Sequence, residues 1–183
     1  MIYQTNLKEF SVSVSKNWHT ETDPGVLLYQ VALLTGRDGW PSREDVALVA
    51  CEIARSTEDH LRDDDDMAQM TLSQTEMWCR TDPEEITIRN RLLLSAARNA
   101  DALKKRIEKT KPESREYNAI AAILYAAKTA TSGPLRLRAR HAFSVPGYAI
   151  KASLIDTSRM LAAENRLCDF IRGALDIPDG ERQ

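Results

Sequence analysis

Apolar residues recur at helical spacing along most of this chain, and few stretches alternate as strands do. The segment Val26 to Leu34 is apolar, is preceded by Asp23 and Pro24 as cap and first turn, and is stopped by Gly36. Ser42-Arg43-Glu44-Asp45 has the form of a capping box. It predicts a helix over 42–61, with Val46, Val49, Ala50 and Ile53 on one face. A further helix is expected over 67–79, after the aspartates 63–66. Asp82-Pro83-Glu84-Glu85 predicts the start of a long helix, in which Ile86, Leu93, Ala100 and Ile107 repeat every seventh residue. Pro112 ends it. The next apolar face holds Tyr117, Ile120, Ala121 and Leu124 and stops at Gly133-Pro134. A short helix over 135–143 follows, and Pro146 is expected to open the last helix, along Leu154, Leu161, Cys168 and Leu175.

These elements predict an all-α fold, a single-domain multi-helix bundle or orthogonal array of about seven helices joined by short connections. Residues 1–22 are the exception. Ser11-Val12-Ser13-Val14-Ser15 alternates, so this segment is expected as a short extended arm on a helical domain of residues 23–177, with a tail at 178–183. The richest stretch is 119–163, dense in alanine and interrupted at Gly133-Pro134 and Pro146-Gly147. Small side chains let helix backbones approach closely, which marks it as the packed centre of the domain.

Composition narrows the class. Hydrophobic residues make up 43% and charged residues 28%, an ordinary globular balance at a length of 183 residues. No apolar run is long enough to span a bilayer. The start of the chain lacks the basic and apolar regions of a signal peptide. Cys51, Cys79 and Cys168 are far apart and odd in number, as for free thiols in a reducing compartment. The expected location is therefore cytoplasmic. The net charge of −2 conceals a division. Residues 1–66 carry 6 Lys/Arg against 13 Asp/Glu, whereas residues 98–140 carry 11 against 4.

Phosphate-binding glycine loops, GxSxG and HExxH are absent from the sequence. The best metal-ligand candidates are Glu52, Asp59, His60 and Asp63, but the paired Glu-x-x-His motifs of di-metal bundles do not occur, and no metal or cofactor is assigned. His141 follows Arg136, Arg138 and Arg140 and precedes Tyr148 and Lys151, a set suited to an anion or to acid–base work. Against it stands the simpler role of a hydrogen-bonded interior histidine, since no nucleophile partner is identifiable. The same arginines, with Lys104, Lys105, Arg106, Lys109 and Lys111, are a candidate phosphate-binding set, disfavoured by the net negative charge of the chain. Of the tryptophans, Trp40 sits in a Gly-Pro-bounded loop, either as a lid over the first helices or as an exposed anchor for a partner, and Trp78 is expected in the core.

Residues 47–171 resemble a family of small, all-helical immunity proteins from bacterial polymorphic-toxin loci. The resemblance lies in Ala47-Leu48-Val49-Ala50-Cys51-Glu52-Ile53-Ala54, the aspartates Asp63, Asp64, Asp65 and Asp66, Trp78, the alanine-rich Ala119–Ala127, His141-Ala142, and Tyr148-Ala149-Ile150-Lys151-Ala152. The chain departs from it at Met67-Ala68-Gln69-Met70, where the family carries an Arg-Pro-Arg-like segment. The resemblance implies a non-catalytic cytoplasmic protein that binds and neutralises a toxin, with no catalytic residues to carry over.

The sequence therefore favours a protein-interaction module that occludes a partner. Its expected contact residues are Glu58, Asp59, Asp63, Asp64, Asp65 and Asp66, suited to a basic nuclease-like toxin, together with Trp40. The first alternative is a helical enzyme or small-ligand binder with a pocket around Arg140, His141, Tyr148 and Lys151. The second is nucleic-acid binding. Heptad-spaced helices pair equally well within one chain or across a homodimer.

Overall fold

The computed structural model describes residues 2–62, 66–153 and 159–178. Among them are eight α-helices: α1 (Ile2–Asn17), α2 (Pro24–Leu34), α3 (Arg43–Arg55), α4 (Asp66–Arg80), α5 (Ile86–Ile107), α6 (Arg115–Thr131), α7 (Leu135–Ser153) and α8 (Met160–Ala174). A short 3-10 turn at Glu58–His60 joins α3 to α4, and no strand occurs among the described residues. None of these helices is long and apolar enough to cross a membrane.

The centre of the bundle is α6. Its buried positions run round the whole helix, from Asn118 to Leu124 and then Ala126, Ala127, Thr129 and Ala130. A helix buried on every side is an interior element. It packs against α3, α4, α5 and α7. Seven of its buried positions are alanines or threonine, small enough for four neighbours to close on one axis. A close crossing lies between α2 and α7. A Cβ added at Gly25 would stand 2.7 Å from the Phe143 carbonyl oxygen, so the backbones meet there without a side chain between them.

The helix ends follow their capping chemistry. Asp23 accepts from the Gly25 and Val26 amides at 2.8 and 3.2 Å. Ser42 and Asp45 form the reciprocal box, with the Asp45 amide donating to Ser42 Oγ and the Ser42 amide to Asp45. Ser114 accepts from the Tyr117 amide. After α2, Gly36 takes a positive φ of 87°, and α6 stops just before Gly133-Pro134.

Four expectations are corrected. The N-terminal segment is not an extended arm, because Ile2–Asn17 is helical. Ser11 and Val14 are buried on one face of α1, a spacing hidden by the Ser-Val alternation, and Trp18 is buried just past its end. The segment is tied to the far end of the chain, where Ser15 Oγ donates to the Pro178 carbonyl and Arg172 Nε to the Trp18 carbonyl. Second, α3 stops at Arg55 rather than near 61. The hydroxyls of Ser56 and Thr57 bond back to the carbonyls of Ile53 and Ala54, both at 2.7 Å, and turn the chain. Third, Asp82 and Pro83 form a turn in which Asp82 accepts from the Glu84 amide, and α5 begins only at Ile86. Fourth, Pro146 opens no helix but lies buried inside α7. A proline inside a helix costs about 3 kcal/mol. Here the helix stays continuous because Ala139, Ala142, Val145, Ala149, Ile150 and Ala152 pack on both sides of it. Leu154 and residues 179–183 lie outside the described residues.

A smaller cluster surrounds Trp78, which packs with Ala47 and Ala130 and with the half-buried Cys79, Leu92 and Leu93. The guanidinium carbons of Arg43 and Arg89 each stand 5.0 Å from its ring centroid. Arg89 pairs with Glu44 and donates to the Thr81 carbonyl at 2.7 Å, while Arg43 donates to the Ala130 carbonyl. One indole thus fastens α3, α4, α5 and α6 together.

Candidate interaction surfaces

At the α3–α4 junction the expected acidic surface is partly consumed by internal pairing. Arg55 forms a bidentate pair with Glu76 at 2.9 and 2.7 Å and also holds Glu58 at 3.0 Å. The Glu76 hydrogen bond is the main reason the Arg55 guanidinium binds its proton more tightly than usual. Asp59 and Asp66 are exposed, whereas Asp63, Asp64 and Asp65 lie outside the described residues. Arg62 reaches Glu116 at 3.1 Å and turns the basic side of this junction toward α6. Of the metal-ligand candidates, Glu52 and His60 are half-buried, Asp59 is exposed and Asp63 is not described. No group of three His, Cys, Asp or Glu side chains is placed to hold a metal ion among the described residues. Trp40 is only 8% exposed and belongs to the main core, so its indole is not presented as a surface anchor.

The residues expected to form one pocket are divided between two places. A shallow cleft of about 290 Å³ lies between the start of α2, the middle of α7 and α8, lined by Asp23, Gly25, Phe143, Tyr148, Lys151 and Glu164. Arg140 and His141 are not part of it. Arg140 is exposed, and His141 turns toward α6. There its Nδ1 lies 3.0 Å from Ser132 Oγ and 3.4 Å from the Lys128 carbonyl oxygen. The His141 ring lies 5.6 Å from Tyr125, and Tyr125 stacks on Tyr148 at 5.4 Å. Lys151 Nζ stands 5.9 Å from the Tyr148 centroid. Burial pulls His141 below the usual histidine range, partly offset by the Lys128 carbonyl. Burial likewise pushes Tyr148 up, with help from Tyr125.

Ser132 is the hydroxyl partner that the sequence did not connect to His141. A hydroxyl beside an imidazole is half of a nucleophilic pair. Nδ1 donates to the Lys128 carbonyl in one tautomer and accepts from the Ser132 hydroxyl in the other, and both contacts fix the ring against the end of α6. The same serine caps α6 through its amide, which donates to the Lys128 carbonyl. The arrangement seals a helix end.

The three thiols are suppressed as nucleophiles. Burial pushes Cys79 up to about 12 and Cys168 up to about 11, and Cys51 is raised well above the ordinary thiol value by burial. The basic residues do not form one patch either. Those at the end of α5 and those at the start of α7 lie at opposite ends of α6, about 25 Å apart by its length. Arg106 is paired with Glu116 at 3.0 Å, and Arg138 is half-buried.

The surface that sequence reasoning missed runs along α4. Its interior face is built from Ala68, Leu72 and Trp78 together with Thr71 and Thr75, both fully buried. Their hydroxyls bond back to the Met67 and Thr71 carbonyls at 2.7 and 2.8 Å, so they enter the core already satisfied. The three methionines stand outside: Met67 is 41% exposed, Met70 50% and Met77 56%. A helix that buries threonine and exposes methionine inverts the usual partition, and the 67/70/77 spacing was the available signal. Compared with protein-family models, curated proteins and solved structures, the chain matches none.

Proposed function

We propose that this protein is a non-catalytic binding module that covers the surface of another protein with a preformed helical exterior. The observation that carries this reading is the methionine row of α4. Methionine adapts its shape to a partner and is favoured at binding surfaces. Here it stands outward on a helix whose interior accepts threonine instead. The division of Arg140 and His141 from the cleft, and the use of His141 as a helix seal, support binding over catalysis. The likeness to immunity proteins, drawn from the sequence alone, suggests a toxin enzyme as the partner and occlusion as the mechanism. Asp59 and Asp66, both exposed and the second adjoining Met67, would then speed the encounter with a basic partner.

A photo-reactive residue placed at Met70 or Met77 in cells of the native host tests this reading. A discrete crosslinked protein is expected from both positions and not from the exposed Asn165 on α8. Equal labelling at Asn165, or no discrete adduct, removes the reading. With the captured partner in hand, Asp59→Asn with Asp66→Asn should slow association and weaken its salt dependence.

A further inference from the structure

The methionine row has a second wall opposite it. Packing joins α4 to α5 along a seam marked by the hydrogen bond from Asn99 Nδ2 to Gln74 Oε1 at 3.0 Å. On α4, Gln74 lies between Met70 and Met77 in sequence and beside them on the helix face, so the methionines form the outward edge of this seam. On α5, the half-buried Ser95 and Ala102 lie next to Asn99 round the helix, and Arg91, Arg98 and Lys105 follow. These three recur every seventh residue, are exposed, and have no ion-pair partner among the described residues. The row is about 21 Å long. The result is a trough with a floor of small residues, one apolar wall and one basic wall, with the exposed Ile88 near the α4–α5 connection.

We infer that this trough is the docking site for an acidic amphipathic helix of a partner protein. The inference rests on the binding-module reading and gives that module its partner chemistry. A helix in a groove buries one apolar stripe, which the methionines and small floor residues accept. Acidic residues at seven-residue spacing along the flank of that helix would meet Arg91, Arg98 and Lys105 in register. Charge complementarity favours this occupant over the others. A second copy of this chain on the same face would bring two arginine rows into one interface, where like charges oppose association. A nucleic acid would meet the three cations but leave the methionine wall unmatched.

The test uses the full chain labelled with nitrogen-15 and a synthetic amphipathic peptide bearing leucines on one face and glutamates along its flank. A second peptide carries lysines in place of the glutamates. The acidic peptide should shift the amide signals of residues 67–77 and 88–105 and bind more weakly as salt rises. Arg91→Glu with Arg98→Glu should weaken it by at least about tenfold. Met70→Ser with Met77→Ser should also weaken it, and Arg98→Lys should retain most of the binding. All these positions are exposed, and an unchanged circular dichroism spectrum will establish that each variant is folded. No binding of the acidic peptide, equal binding of the lysine peptide, or shifts elsewhere on the chain would overturn the inference. So would self-association through this face, or an oligonucleotide or anionic vesicle that displaces the acidic peptide. If the crosslinks at Met70 and Met77 persist while the acidic peptide fails, the module stands and the acidic-helix assignment falls.

Discussion

The α2–α6–α7 centre and the α4–α5 hairpin are built from opposite choices of side chain. In the centre, alanines and Gly25 bring backbones together, and His141 is held beside Ser132 and Lys128. In the hairpin, the inward faces include threonine and alanine, while methionine, isoleucine and leucine stand outside. At Gly25 the centre has no room for one more methyl, whereas the hairpin leaves Met70 and Met77 half in solvent. The difference teaches where selection for folding ends and where another requirement must act. A fold alone does not need Met70 or Met77 in water.

Substitutions should separate the two regions by size of effect. The largest belongs to Trp78, where the hairpin is anchored to the centre. Trp78→Ala should lower unfolding stability by about 3–5 kcal/mol in a urea titration, since it leaves a cavity and removes the ring beneath Arg43 and Arg89. Gly25→Ala should follow, with a loss of about 1–3 kcal/mol, because the new methyl meets a backbone carbonyl that cannot rotate away. A neutral result there would mean that α2 and α7 separate freely, and the contrast would weaken. Ser42→Ala should remove about 1 kcal/mol by opening the capping box of α3. Met70→Ser and Met77→Ser should change stability by no more than about 0.5 kcal/mol each. A large loss from either would make the methionine row part of the fold.

The smallest effect is a slope with pH. The folded chain holds His141 with a lowered proton affinity, chiefly through burial, so the unfolded chain binds that proton more tightly. The stability of the neutral ring is therefore complete above the ordinary value of about 6.5. It is lost as pH falls through that value toward the lower folded one. His141→Gln should flatten the change in urea midpoint between about pH 7 and about pH 5. An identical slope in the variant would place His141 outside the packed centre.

Much of this fold was legible because caps and breakers act locally. Asp23-Pro24, the Ser42 box, Gly36 and Gly133-Pro134 all mark real boundaries, since each depends on residues within one turn. What failed depended on distant packing. Nothing near Ser11 reveals that Val14 and Trp18 find a helical partner surface, one whose carbonyl at Trp18 is held by Arg172. Pro146 looks like a start signal until the alanines on both sides are seen to pack. The seventh-residue pattern misled at its ends, because Ile86 is 66% and Leu161 63% exposed, although Ala100 and Cys168 are buried. Among candidate sites, residue type was readable but direction was not. Tyr148 and Lys151 face the cleft, whereas His141 points to α6 and Trp40 points inward. The methionine row needed knowledge of which side of α4 the two threonines occupy.

Because α6 is buried through most of its turns, its central amide protons have no shallow route to solvent. Neighbours on several sides must part before any of its central turns can exchange, so its protection should match that of whole-molecule unfolding. A chain cut within α6 would therefore lose its template rather than one element. The two halves would have to find each other across a helix that neither can complete.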